Sequence, residues 1–173
     1  LFNDARSEFY SRCAWTNGYP AATGIGAQWG GVVVVFDAIR NSAGHSYPVD
    51  NPLQISAHSY SQKVLINNVD KHKTTPKFER ARHIDGKEQM IYISGTAAIR
   101  GEESCREDAV GQAALTMENI DYLTSIENQS SSGVKQPCEM EYAISRIYIK
   151  HRNNLQQVSE WMAEHYPTTP ALY

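Results

Sequence analysis

The chain has 173 residues, 41% of them hydrophobic and 20% charged, with a formal net charge of −3 from 16 basic and 19 acidic side chains. That composition suits one globular domain with a sizeable core and excludes a disordered or fibrous class. The Lys and Arg residues are scattered over a mildly acidic chain, which argues against nucleic acid as a partner, and the longest apolar run, residues 32–36, is far too short to span a bilayer.

In chain order, the first landmark is Gly18-Tyr19-Pro20-Ala21-Ala22-Thr23-Gly24-Ile25-Gly26, where three glycines and a proline exclude regular helix and predict a shaped loop. Val32-Val33-Val34-Val35-Phe36 follows, a β-branched run without alternation that predicts a strand buried on both faces. Asn51-Pro52 introduces a second extended segment at residues 54–60, because the residue before proline is pushed out of helical space. Residues 62–75 are polar and read as a surface loop. Residues 77–84 and 88–99 predict a hairpin turning at Asp85-Gly86.

A capping box at Ser104-Cys105-Arg106-Glu107 then opens a helix with Val110, Ala113, Ala114, Met117, Ile120 and Leu123 on one face. Ser130-Ser131-Ser132-Gly133 breaks the chain before a Tyr- and Ile-rich strand at 140–150. A second helix at 154–166 carries Leu155, Val158, Trp161 and Met162 on one face and stops at Pro167. Pro170 to Tyr173 reads as the start of another strand. Strands with two helices striped on one side give an α+β architecture, and apolar groups on both faces of 90–93 and 147–149 predict that the helix-free face meets another domain or subunit.

Cys13, Cys105 and Cys138 cannot all pair and show no metal-ligand spacing. Free thiols in a reducing, cytoplasmic setting are the expectation, and no signal-peptide pattern opens the chain. The histidines are dispersed, so no metal site is predicted.

Tyr92-Ile93-Ser94-Gly95-Thr96-Ala97-Ala98-Ile99, followed by Asp108, Gln112, Leu115 and Glu118-Asn119-Ile120, resembles the signature of the RidA (YjgF, endoribonuclease L-PSP-like) superfamily. There a strand ending in Ser-Gly joins a helix ending in Asn-Ile. The Gly-Thr-Ala extension resembles the chorismatase (FkbO-like) branch. So do residues 20–26, Asn51-Pro52 with Gln54 and Ser56-Ala57, and Pro76-Lys77-Phe78-Glu79-Arg80-Ala81. Residues 143–170 resemble the superfamily's closing strand, helix and strand.

The resemblance implies a chorismate-mutase-like fold, mostly sheet with two helices on one face, assembled as a homotrimer or pseudo-trimer with its ligand in a cleft between units. It implies removal of the enolpyruvyl group of chorismate, or of a related small cyclic carboxylate, with release of pyruvate and without cofactor or metal. Residues 1–50 would be the remnant of a preceding domain or its linker strand. Residues 51–173 would be the RidA/YjgF-like domain lacking its last strands. The catalytic Glu of the family, with its neighbouring Cys and Arg, is expected beyond Tyr173. Leu53 and His58 stand where the chorismatases are expected to carry Arg and Tyr, and Arg100-Gly101-Glu102 replaces a Gly-His element. Two alternatives remain: an enamine/imine deaminase, against which Leu172 stands in place of a carboxylate-binding Arg, and a non-catalytic small-molecule-binding member.

A carboxylate substrate needs a cationic fork, and arginine supplies one in two parallel hydrogen bonds. Arg80 is the leading candidate, sharing a strand face with Phe78 and Arg82; the plainer reading is a solvated strand arginine. Gly95, Thr96, Ala97 and Ala98 end a strand in small residues, which leaves room for a ring beside backbone amides, or else for close packing under the next helix. Tyr60 could donate a phenolic hydrogen bond to substrate or serve as a core residue. His58 has a pocket-facing or structural reading. Cys105 and the Glu102–Glu103 pair read more simply as inert and surface groups.

Overall fold

The computed structural model describes residues 2–26, 33–40, 44–63, 65 and 74–173. Four α-helices are present among them: α1 (Phe2–Arg12), α2 (Ala109–Thr124), α3 (Ile126–Ser131) and α4 (Leu155–His165). Seven short strands are formed: β1 (Ser46–Val49), β2 (Ala81–Ile84), β3 (Met90–Ile93), β4 (Ile99–Arg100), β5 (Glu103–Ser104), β6 (Ser145–Arg146) and β7 (Ala171–Leu172). Strands β1, β2 and β3 make an antiparallel sheet in that order, β4 pairs with β5, and β6 lies parallel to β7. Mixed helix and sheet is thus the architecture. No described helix is long and apolar enough to cross a membrane.

The predicted hairpin forms with Ile84 opposite Met90, so five residues rather than Asp85-Gly86 alone make the connection. Its strands are shorter than expected, because residues 94–98 leave the ladder and Ile99 pairs instead with Ser104. That second hairpin turns through Gly101-Glu102, where Gly101 has φ of 58°, a conformation that costs glycine little.

Several expectations are corrected. Residues 33–36 form no strand and are open to solvent, Val33 being 91% and Phe36 82% exposed; Val32 lies outside the described residues. The β-branched run has the local preference, but a strand needs a hydrogen-bonded neighbour and none of the described residues supplies one. Residues 54–60 are not extended: Gln54 makes one bridge to Gly101 and Ala57–Ser59 form a 3₁₀ turn. Asn51 sets this bend by accepting from the Leu53 amide at 2.9 Å, an Asx turn over Pro52. Most of the predicted loop at 62–75 lies outside the described residues.

The cap of α2 is Asp108, whose side chain accepts from the Gly111 amide at 2.8 Å, and not Ser104, which is already paired in β5. The α2 helix ends at Ser125, which caps α3 in turn, so the chain stays helical up to Ser131 before Gly133 breaks it. Within 140–150 only Ser145 and Arg146 are in a strand, and α1 was not anticipated at all. Strand β1 precedes position 50 and pairs along its whole length with β2.

Two clusters form the core. Val49, Ala81, Leu123 and Val134 are buried together, with Tyr47, Ile91 and Ile93 against them, so the end of α2 packs on the three-stranded sheet. Met117, Val158 and Met162 join α2 to α4, with Trp161, Ile120 and Ile147 around them. This is the expected stripe, except that Leu155 at the start of α4 is exposed. Tyr142 and Tyr166 close the same corner by donating their hydroxyls to Asp121, and burial, followed by that carboxylate, pushes both phenols up.

Side-chain amides splice these layers. Asn119, fully buried on α2, donates to the carbonyls of Ala97 (3.1 Å) and Ile99 (3.0 Å), and its own carbonyl accepts from Asn51 (2.9 Å). Asn128 reaches the Asp50 carbonyl at 2.9 Å, and Gln129 both donates to and accepts from the backbone of Cys138. Replacing Asn119 with Asp turns a double donor into an acceptor facing two carbonyls. The expected cost is on the order of 3 kcal/mol, and more than for Asn119→Ala. Urea midpoints check this; equal midpoints for the two variants would show that the amide contributes only its volume.

His83 lies on β2 with 0% exposure, opposite Tyr47 and Ile91, and neither ring nitrogen has a partner among the described residues. Burial holds its pKa below the ordinary 6.5, with the nearby Asp85 opposing that shift. The unfolded chain therefore binds the proton first. Stability should be at its full value above about pH 6.5 and fall as the pH is lowered towards the folded-state pKa. In thermal melts, His83→Leu should flatten this part of the profile, and an unchanged slope would assign the acid sensitivity to other groups.

Candidate functional site

Arg80 occupies the bend where the extended segment 74–79 enters β2. Its side chain is drawn inward: the residue is 3% exposed, and Nη2 donates to the Ile55 carbonyl (2.5 Å) and the Tyr60 hydroxyl (2.6 Å). The guanidinium carbon lies 5.5 Å from the Tyr60 ring centre and 5.8 Å from that of Phe78. Nε is buried without a partner, and among the described residues no carboxylate pairs with this cation. Ring faces and one carbonyl offset only part of the cost of burying a guanidinium. An anion placed beside it would gain a charge-assisted contact.

The end of β3 meets Arg80 directly, for the Ser94 amide donates to the Arg80 carbonyl at 2.9 Å. Ser94 is itself a junction, its hydroxyl accepting from the Ala22 amide (2.9 Å) and donating to the Glu79 carbonyl. Gly95 donates to the Ala22 carbonyl at 3.3 Å, and a Cβ at this position would stand 2.8 Å from Thr23 Cγ2. The 20–26 loop is thus laid against the strand end, and a side chain at position 95 would require Thr23 to shift. Gly95 therefore does not present the bare amide expected there. The amides of Thr96 and Ala97 do: neither donates to a described residue, and Ala97 is exposed. Ala98 is buried, and the Ala97 and Ile99 carbonyls turn inward to Asn119 and Gln54.

The other candidates separate by position. Tyr60 belongs with Arg80 and accepts its hydrogen bond, leaving its own hydroxyl proton to donate. Arg82 turns away, donating to the Asn17 carbonyl (2.7 Å) and Ser46 Oγ (2.8 Å), so it holds the turn before Pro20 rather than enlarging a cationic patch. His58 is half-buried with its ring 5.8 Å from that of Tyr19, and its Nδ1 is buried without a partner. Cys105 lies outside the first turn of α2, and its amide donates to the Ala98 carbonyl. Glu102 accepts from the amide and hydroxyl of Ser61; the amide contact is the larger influence holding its carboxyl below the usual range. The cavities at α1 and beside β3 touch none of the Arg80 cluster. Tyr60 and Phe78 lie beside the guanidinium, with ring centres 5.5 and 5.8 Å from its carbon.

Residue patterning missed two contributors. The Ile55 carbonyl carries no sequence signal, since its aim depends on the 3₁₀ turn that follows it. Glu79, buried beside Arg80, accepts from the Tyr19 amide at 2.7 Å and fastens the loop to the sheet. A strand glutamate next to an arginine reads as an ordinary surface pair, and only the loop that folds over it gives it this role.

No protein-family model matches the chain. A 3-hydroxybenzoate synthase of Streptomyces hygroscopicus is 29% identical over 167 residues, 92% of this chain and 46% of that protein. A chorismatase of Streptomyces rapamycinicus is 30% identical over 154 residues, 84% of this chain and 42% of that protein. A chorismatase of Streptomyces hygroscopicus is 29% identical over 158 residues, covering 88% and 43%. The chain spans less than half the length of these curated relatives. A chorismatase crystal structure superposes with a TM-score of 0.75 at 22% identity, over 98% of this chain and 50% of that one. The chain is therefore similar in sequence to chorismatases and a 3-hydroxybenzoate synthase over most of its own length, and it has the fold of half a chorismatase.

Proposed function

We propose that the chain forms the carboxylate-binding part of a chorismatase-like site, within a chorismate-mutase-like (RidA/YjgF) fold that assembles as a trimer or pseudo-trimer. The observation that carries this reading is Arg80, a buried cation without an anionic partner among the described residues, placed one hydrogen bond from a strand end with open amides. Similarity to chorismatases and to a 3-hydroxybenzoate synthase supports chorismate as the substrate. Arg80 would hold a ring carboxylate. Residues 95–98 would frame the ring, with the Thr96 and Ala97 amides donating to substrate oxygen and Ala97 leaving room where a larger side chain would intrude.

The chemistry required is hydrolysis of an enol ether. A proton is delivered to the methylene carbon, water adds to the resulting oxocarbenium carbon, and the hemiketal collapses so that the ring oxygen leaves as a hydroxyl and pyruvate is released. The acid is not assigned to Glu79 or Glu102, since the first is committed to the Tyr19 amide and the second to Ser61. Tyr60, hydrogen-bonded by Arg80, would orient an oxygen of the bound acid.

Chorismate binding to this chain, measured by calorimetry, tests the reading. Saturable binding is expected, and Arg80→Met should weaken it by about a hundredfold, the scale of a lost charge-assisted contact in a buried site. Arg80→Lys should recover only part, because an ammonium cannot make the two-pronged contact. Absence of chorismate binding would sink the proposal, and undiminished binding in Arg80→Met would remove Arg80 from it.

A further inference from the structure

The start of α1 brings a second arginine to the Arg80 corner. Asn3 Nδ2 donates to the Thr74 carbonyl at 3.4 Å, and Thr74 Oγ1 donates to the Asp4 carboxylate. The helix is thereby tied to the same extended segment, 74–79, that carries Phe78 and enters Arg80. The guanidinium carbon of Arg6 lies 6.0 Å from the Phe78 ring centre, and that of Arg80 lies 5.8 Å from the same centre. Two guanidinium groups therefore share one ring, and the two distances together limit the separation of their carbons to about 12 Å.

Arg6 repeats the deficit of Arg80. Its Nη2 donates to Asn3 Oδ1 at 3.1 Å and its carbon lies 5.2 Å from the Phe2 ring centre, but its Nε is buried without a partner. Among the described residues no carboxylate pairs with either cation. Ring faces offset only part of the cost of withdrawing a guanidinium from water, and two like charges beside one ring raise that cost for each other. Packing alone would be served better by an apolar side chain over Phe78. A ligand with one carboxylate neutralises one of the two charges, whereas a ligand with two carboxylates neutralises both. The separation is within reach of a single small dicarboxylate, because each two-pronged pair itself spans about 4 Å between carbons.

We infer that Arg6 receives a second carboxylate of the ligand held by Arg80, so that the site selects small cyclic dicarboxylates over monocarboxylates of the same ring. The inference rests on the carboxylate-binding role proposed for Arg80. Chorismate, with one carboxylate on its ring and another on its enolpyruvyl side chain, meets the requirement. 3-Hydroxybenzoate keeps the ring carboxylate and has no second one. Arg6 is then a specificity-determining residue, which holds the ligand with its side chain more tightly than the ring acid left when that side chain is lost.

Calorimetric titration with chorismate and with 3-hydroxybenzoate tests the assignment. The unmodified protein should bind chorismate at least about tenfold more tightly, the scale of one added charge-assisted contact. Arg6→Met, which keeps apolar cover on Phe78, should weaken chorismate by about tenfold and leave 3-hydroxybenzoate within about twofold of its original affinity. Arg80→Met should weaken both acids. Arg6→Lys keeps the charge and should retain part of the preference, and it covers the case in which Arg6→Met does not fold. Equal affinity of the unmodified protein for the two acids, an unchanged preference for chorismate in Arg6→Met, or equal weakening of both acids in that variant would overturn the role of Arg6 and leave Arg80 as a carboxylate site. Absence of chorismate binding would overturn the reading of Arg80 and this inference with it.

Discussion

The Asn119 side-chain amide is the interaction on which the rest of the structure depends. It sits at 0% exposure where α2 meets the backbone running from Ala97 into β4, and it donates to the Ala97 and Ile99 carbonyls. Arg100 donates to its oxygen and Asn51 to its backbone carbonyl, so three chain segments meet at one residue. A buried network of this kind is stable only when each member is satisfied, and it then fixes one arrangement. Residues 97–99 are thus held from behind, while the Thr96 and Ala97 amides donate to no described residue.

The cationic side of the same corner is built on the opposite principle. Arg80 is as buried as a core residue, yet no carboxylate among the described residues pairs with it, and its neighbours offer a carbonyl, a phenol and two rings. A fold selected only for stability gains little from such a group, since burying a charge commonly costs more than its contacts return. Local violations of this sort concentrate where a ligand completes the environment.

The segment before β1 is tied on by polar contacts rather than by a shared core. Glu79, Ser94 and Arg82 each bond the backbone of residues 17–22, and Asn3 and Asp4 bond Thr74. The α1 helix has no buried residue, so it rests on the domain along one side. Beyond the loop, the exposed apolar groups at 33–36 show that strand-forming residues alone do not make a strand.

The sequence by itself determined the elements whose cause is local or periodic. The stripes Met117, Leu123 and Val158, Met162 placed both long helices on their core faces, Pro167 followed the end of α4, and residues 81–84 and 90–93 paired about the Asp85-Gly86 turn. Short motifs at residues 20–26, 51–57, 76–81 and 95–97 also carried the resemblance to the chorismatases. Only the tertiary structure decided which of those residues meet. Whether Arg80 faces water or a phenol, whether the Gly95 amide is open or taken by Ala22, and whether Asp108 or Ser104 caps α2 all turn on partners distant in sequence or committed to another strand. Hydrogen bonds between segments more than 15 residues apart leave no period in the chain, and their donors and acceptors are largely backbone groups that every residue carries alike.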